Sequence, residues 1–272
     1  MFLPHANTVV EVLDGSNWNG VAVTSNAGST NTKGSYSTIG TTSQRYDGFT
    51  LNLAFPGGAV RAIFDVAIGA SNTIIAQDIF VDMNSAGSTR GGFAMFIPVR
   101  VPSGVDIKVR WQVSGGLNQV ARVTIVGCCY GLDGGLSFRR AIGLNSLTGT
   151  TRVTSATVQL NGASPSTTGW QQVIASLAND IGGVILCPSN EANSVGQVNN
   201  DLIRYDLGMG ASGAEAQILG GHLVGTVTGG MVTSGIAFYP LAVMAGKRLA
   251  WRCRGPNAAT GHQGLGVVGL ER

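Results

Sequence analysis

Three observations predict an all-β protein made of two tandem, homologous antiparallel β-sandwich domains of jelly-roll type. The first is composition: charged residues are only 11 %, glycines number 41, and Val, Thr, Ser, Ala and Asn fill much of the rest, which suits short strands joined by tight turns. The second is period-two alternation of apolar residues, with no sustained helical periodicity. The third is self-similarity. Phe64-Asp65-Val66-Ala67-Ile68-Gly69-Ala70-Ser71 returns as Tyr205-Asp206-Leu207-Gly208-Met209-Gly210-Ala211-Ser212, 141 positions on. Downstream, Pro98, Gly104, Ile107, Arg110, Val126 and Gly127 match Pro240, Gly246, Leu249, Arg252, Val268 and Gly269 at 142. Upstream, Tyr36 to Ile39 aligns with Trp170 to Val173 at 134, which places the extra residues of the second copy near Ser189 to Asn200. A repeat of this length denotes domains, because solenoid units run to roughly 50 residues.

The elements follow in order. Residues 1–13 precede the repeat and read as an arm that docks on a neighbour, and the polar stretch Ser25 to Ser37 reads as an exposed loop. Arg61 to Ile68 is an apolar strand ending at Gly69-Ala70-Ser71, and Thr73 to Val81 is the next. Proline cannot donate to a sheet ladder, so the strand broken at Pro98 should reach an edge or a bend there. A turn over Val101-Pro102-Ser103-Gly104 leads into Ile107, Val109, Trp111 and Val113, which alternate with Lys108, Arg110 and Gln112 as a half-buried strand does. Ala121 to Cys128 closes the first copy.

Tyr130 to Gly135 and Leu136 to Ser146, with the pair Arg139-Arg140, form the linker, which sets domain boundaries at 1–135 and 136–272. In the second copy the corresponding strands are Leu202 to Met209, Glu215 to Val224, a segment broken at Pro240, Leu249 to Arg254 after the Met244-Ala245-Gly246 turn, and Leu265 to Leu270. Asn190 to Asn200 reads as a second exposed loop. Each copy is expected to hold about seven or eight strands.

Composition also narrows function. The net charge of +3 is spread without a Lys/Arg block, so no nucleic-acid or membrane partner is expected. No stretch approaches the roughly 20 apolar residues of a spanning helix, and Met1-Phe2-Leu3-Pro4-His5 lacks the layout of a secretory signal, so synthesis in a cytoplasm without export is expected. A solitary soluble domain carries about 25 % charged residues. The low value here points to surface buried against other chains, and hence to a homo-oligomer. Cys128 and Cys129 are adjacent and point to opposite faces of a strand; Cys187 and Cys253 both lie in the second copy and could approach one another. All four read as buried small hydrophobes, with neither a zinc site nor a disulfide framework.

The inventory for catalysis is thin. His5, His222 and His262 occupy an arm, a strand and a terminal turn, and none has a counterpart in the other copy: His262 matches Val120 and His222 falls opposite Val81. Asp65 and Asp206 are the carboxylates that the repeat keeps in register. They suit a structural role, accepting hydrogen bonds from the following Gly-Ala-Ser turn or pairing with Arg110 or Arg252; a metal or sugar ligand is the alternative, but a metal would need more oxygen ligands. The glycine groups at 131–135 and 264–266 open no helix, so no phosphate cradle is indicated. Trp18, Tyr36, Tyr46, Trp111, Trp170 and Trp251 could form a sugar platform, although Trp111 and Trp251 fall on the apolar side of alternating strands and suit core packing. No catalytic residue, metal ligand or cofactor is expected.

The pattern from Asp65 to Ser71 with Pro98 to Arg110, repeated as Asp206 to Ser212 with Pro240 to Arg252, resembles a group of β-sandwich structural proteins of tailed bacteriophages and prophages. The first copy departs from the pattern in carrying Ala67 where the second has Gly208, and in lacking an acid equivalent to Glu215. The resemblance implies a virion component without enzymatic activity, such as a protein decorating and stabilising the capsid through contacts with major capsid or tail proteins. A tail, collar or fibre part, or a carbohydrate-binding module for host recognition, is the alternative.

Overall fold

The computed structural model describes residues 9–15, 20–26, 32–55, 60–83, 91–113, 119–129, 138–144, 157–159, 166–190, 202–226, 232–233, 236–255 and 262–272. Residues 1–8 of the proposed arm, the centre of the Ser25 to Ser37 loop, most of the Asn190 to Asn200 loop, both ends of the linker and Trp18 lie outside these residues, whereas 9–13 of the arm form a strand paired within the first half rather than a free arm, and 140–143 of the linker form another strand. Within them all regular structure is β. The first half carries β1 (Val9–Leu13), β2 (Val21–Thr24), β3 (Ser37–Thr41), β4 (Gly48–Phe55), β5 (Val60–Ile68), β6 (Thr73–Met83), β7 (Gly91–Ile97), β8 (Asp106–Val113) and β9 (Val120–Cys128). The second half carries β10 (Arg140–Gly143), β11 (Thr157–Gln159), β12 (Ser166–Thr167), β13 (Gln171–Ile174), β14 (Ile181–Asn190), β15 (Leu202–Met209), β16 (Ala216–Thr226), β17 (Val232–Thr233), β18 (Ala237–Tyr239), β19 (Leu249–Gly255) and β20 (His262–Glu271). These exceed the expected number per half because several are two- to four-residue pieces, such as β12, β13, β17 and β18, too short to show period-two alternation.

The described strands form three sheets. One has the order β1-β9-β4-β7, with β2 also on β9. The largest runs β18-β14-β20-β10-β6-β5-β8-β3, with β11 also on β20. The third is β12-β19-β15-β16-β17, with β13 also on β19. The strand order of the first half thus recurs in the second, with β10-β20-β14-β18 in the place of β1-β9-β4-β7 and β13-β19-β15-β16 in the place of β3-β8-β5-β6. One parallel pairing, Ala141 with Ala76 and Ile142 with Gln77, joins β10 to β6 and fuses a sheet of each half into the nine-stranded one.

Packing follows the apolar residues. The larger core gathers Phe49, Phe64, Val66, Val109 and Trp111 of the first half together with Phe138, Ala141, Ile185, Cys187, Val268 and Leu270 of the second. The smaller core lies within the second half, around Val184, Leu186, Tyr205, Leu207, Trp251, Cys253 and Val267. In β14 successive residues therefore enter different cores: Val184 and Leu186 one, Ile185 and Cys187 the other. A strand buried on both faces needs apolar residues at every position, which accounts for the run Val184-Ile185-Leu186-Cys187. Trp111 stacks on Phe64 with centroids 5.5 Å apart and donates Nε1–H to the Val23 carbonyl at 3.1 Å. Trp251 stacks on Tyr205 at 5.8 Å.

Turns fall where glycine and proline place them. β7 and β18 end immediately before Pro98 and Pro240. Gly104 and Gly246 take φ of 72° and 78°, values that an L side chain resists, which is why the turns entering β8 and β19 each carry glycine.

Candidate functional site

β5 and β15 lie centrally in their sheets, each between two antiparallel neighbours. Phe64, Val66, Tyr205 and Leu207 point into the cores, so alternation turns Asp65 and Asp206 to the opposite face. Both carboxylates are nonetheless buried, at 0 % and 1 % exposure. Directly across the ladder, Asp65 pairs with Arg110 and Asp206 with Arg252. The Arg110 Nε donates to Asp65 Oδ2 at 2.8 Å, and the Arg252 Nε donates to Asp206 Oδ2 at 3.0 Å. Each guanidinium lies over an aromatic ring, Arg110 at 4.5 Å from the Tyr36 centroid and Arg252 at 4.3 Å from that of Trp170. These two rings are therefore covered by cations, Tyr46 is buried with its hydroxyl donating to Glu11 Oε2 at 2.5 Å, and Trp111 and Trp251 lie in the cores. Of the aromatics named for a sugar platform, the five among the described residues thus lie under cations or in the interior.

The backbone donor to each carboxylate corrects the expectation from sequence, which was the Gly-Ala-Ser turn. It comes from a β-bulge on the neighbouring strand. Pairing slips by one residue between Phe64–Ile79 and Val66–Ala76, and in the same way between Tyr205–His222 and Leu207–Leu219. The inserted residue holds a positive φ, 56° at Asp78 and 85° at Gly221. Its N–H turns toward the acid: Asp78 N donates to Asp65 Oδ1 at 2.9 Å, and Gly221 N to Asp206 Oδ1 at 3.2 Å. Aspartate and glycine are among the residues that tolerate this conformation. The turn before the bulged strand is two residues longer in the second half, 210–215 against 69–72, so His222 corresponds to Ile79 rather than Val81.

Beyond this shared plan the two clusters diverge. Around Asp65, Lys33 Nζ lies 2.7 Å from both carboxylate oxygens and also pairs with Asp78. Two acids thus meet two cations. Around Asp206, Arg204 from the same strand donates Nε to Oδ1 at 3.0 Å, and Arg254 Nη2 stands 3.3 Å from Oδ2. One acid there meets three guanidinium groups, with Arg252 also donating to Gln217 Oε1 at 3.0 Å. Burial alone would raise the Asp206 carboxyl, yet hydrogen bonds from Arg204, Arg252 and the Gly221 N–H hold it below the usual carboxylate value.

The remaining sequence candidates are scattered. His222 is buried in β16, its Nδ1 2.8 Å from the Tyr239 hydroxyl and its ring edge-on to Tyr239. His5 lies outside the described residues, and His262 is placed only by its backbone, at the start of β20. Glu215 pairs with Arg248 at 2.5 Å, outside the Asp206 contacts. Cys187 and Cys253 are free thiols in different cores, which rules out the approach suggested by their sharing one copy; burial pushes both up to about 12. Cys128 and Cys129 are half-buried rather than buried. Among the described residues no group of three or more His, Cys, Asp or Glu could hold a metal, and no helix is long and apolar enough to cross a membrane.

Sequence reasoning singled out Asp65, Asp206, Arg110 and Arg252. It missed Lys33, Asp78, Arg204 and Arg254. The two arginines were within reach, since Arg204 and Asp206, like Arg252 and Arg254, are two apart on a strand and share a face. Lys33 and the bulge at Asp78 leave no periodic trace.

No family model matches the chain, and no curated protein is similar to it in sequence. Among solved structures it is similar to a recombinant N-glycanase F (PNGase F), with a TM-score of 0.39 and 8 % identity over 92 % of this chain and 95 % of that one. It is similar to PNGF-II at 0.41 and 7 %, over 93 % and 65 %. The N-terminal CBM22-1-CBM22-2 tandem domain of Paenibacillus barcinonensis Xyn10C matches at 0.27 and 7 %, over 96 % and 90 %. Similarity of this degree assigns neither activity nor ligand.

Proposed function

We propose that this chain is a non-enzymatic structural protein of a tailed-bacteriophage particle: two copies of one β-sandwich fused in tandem, made in the host cytoplasm and decorating the capsid through protein–protein contacts. The observation that carries the reading is the use made of the paired acids. In both halves the acid kept in register is buried, capped by a bulge N–H and gripped across the ladder by an arginine that is itself stacked on a ring. A carboxylate so satisfied serves as a brace between three strands; a general base or a metal ligand needs a free lone pair.

Outward-facing apolar side chains fit the same reading. Val12, Leu202, Leu223 and Met244 are 52 to 66 % exposed, and on a low-charge surface such residues suit contact with neighbouring subunits. Two related sandwiches in one chain present two related faces, so that repetition over a shell multiplies individually weak contacts. The resemblance of the Asp65 to Ser71 and Asp206 to Ser212 patterns to phage sandwich proteins supplies the particle.

Cryo-electron microscopy of purified particles tests the proposal. The expected result is density for the chain at stoichiometric, symmetric positions on the head. Particles complete without it would overturn the reading, and density confined to the tail would move the protein from decoration to tail.

A further inference from the structure

We infer that the Asp206 cluster is a binding notch for one carboxylate supplied from outside the cluster, and that the Asp65 cluster shows where that carboxylate sits. The two clusters are built on the same ladder and the same bulge, which makes one an internal template for the other. At the bulge of the first half stands Asp78, whose carboxylate neutralises Lys33, the cation beyond the Asp65–Arg110 pair. At the bulge of the second half stands Gly221, which has no side chain. The cations beyond the Asp206–Arg252 pair are there two, Arg204 and Arg254, and one carboxylate serves all three arginines.

The place vacated at the bulge is open and faces a guanidinium. A Cβ built on Gly221 would meet no atom nearer than the Cζ and Nε of Arg204, at 4.0 Å, an ordinary van der Waals distance. A carboxylate held over Gly221 would therefore lie against Arg204 much as that of Asp78 lies against Lys33. Access is available, since Gly221 is exposed and Arg204 and Arg254 are 43 % and 37 % exposed. Guanidinium forks match the planar geometry of a carboxylate. Leu223, opposite Arg204 in register and 61 % exposed, adds an apolar ledge beside the notch. The geometry holds whether or not the protein belongs to a phage particle.

The test is titration of the full chain, followed by NMR of the arginine Nε–H groups, with three probes at constant ionic strength: sodium acetate, N-acetyl-aspartate amide and inorganic phosphate. Both carboxylates should produce saturable shifts at Arg204 and Arg254, and none at Arg110. If the aspartate compound binds several-fold more tightly than acetate, the natural source is an acidic peptide side chain resting on Leu223; equal affinities identify a small free acid. Gly221→Asp should fill the notch from within and abolish saturation, whereas Gly221→Ala, which imposes the same backbone constraint without the charge, should not. Gly221→Asp should also melt several degrees above Gly221→Ala. Should the aspartate variant fail to fold, Arg204→Gln serves instead and should remove the saturable shift at Arg254. The inference is overturned by shifts that merely track added chloride, by saturation with phosphate but neither carboxylate, or by carboxylate saturation that survives Gly221→Asp or Arg204→Gln.

Discussion

In the first half the buried Asp65 shares its cations with a second acid, Asp78, whereas in the second half Asp206 stands alone among Arg204, Arg252 and Arg254. The backbone beneath is the same in both: a central strand, an arginine across the ladder, and a bulge whose N–H caps the acid. What separates them is the residue at the bulge, the ring under the arginine and the further cations, Lys33 in one half and Arg204 with Arg254 in the other. The lesson is that the ladder and bulge position the acid, while the side chains at the bulge and on the flanking positions set the charge balance around it. A buried ion pair is weak evidence of net stabilisation, because desolvation offsets much of the attraction. Its better-attested use is to specify register. Here it pins the strand on each side of the acid, at the points where a bulge already shifts the pairing.

The largest difference between the halves should come from removing the acids. Asp206→Asn leaves three cations without a carboxylate, whereas Asp65→Asn leaves Asp78 to hold Lys33. Breaking a buried pair costs about 3–5 kcal/mol, and hydration of the part-exposed arginines moves the loss to the lower end. Urea denaturation should therefore show a loss of about 3 kcal/mol for Asp206→Asn and a smaller one for Asp65→Asn; equal losses would mean that Asp78 contributes nothing to closing its cluster.

The same asymmetry has a pH signature. With its carboxyl held below the ordinary value of 3.8, Asp206 contributes stability that is complete above that value and is lost as pH falls through the lower, folded one. Unfolding curves of the wild type and Asp206→Asn should converge as pH drops below about 4. Curves that stay parallel down to pH 2 would remove the electrostatic account.

Next in size is the contact beneath the arginines. A Cβ on Gly208 would stand 2.7 Å from the Trp170 ring, whereas the matching position over the smaller Tyr36 half is Ala67. Gly208→Ala should cost about 1–3 kcal/mol through overpacking, and pairing it with Trp170→Tyr should recover most of that loss in thermal melts. An absence of recovery would separate the glycine from the tryptophan. The smallest effects belong to the two rings. The Tyr36 hydroxyl is buried without a hydrogen-bond partner among the described residues, so its removal in Tyr36→Phe should relieve an uncompensated desolvation cost and raise stability slightly, by up to about 1 kcal/mol, against a loss of about 0.5–1 kcal/mol for the Arg252–Trp170 stack in Trp170→Leu.

Much of this plan is local and can be read from the chain. Alternation in Ile107 to Val113 and in Leu249 to Cys253 assigns each residue to a face, because successive strand side chains point in opposite directions; it put Trp111 and Trp251 inside and Arg110 and Arg252 opposite them. Proline and glycine chemistry marked where β7 and β18 end and where the following turns reverse. Pairing of Asp65 and Asp206 with those arginines was legible for the same reason, since equal parity on neighbouring strands brings side chains to one face.

Only the folded chain settled the rest. The β10–β6 pairing, the separation of Cys187 from Cys253 into two cores, the arrival of Lys33 at Asp65 and the opening over Gly221 all bring together residues that no spacing in the chain relates. Periodicity reports which way a side chain points, a property of its own strand. What it meets there depends on how whole sheets stack and on which strand lends an extra residue to a bulge, and those are decided by contacts across the entire structure.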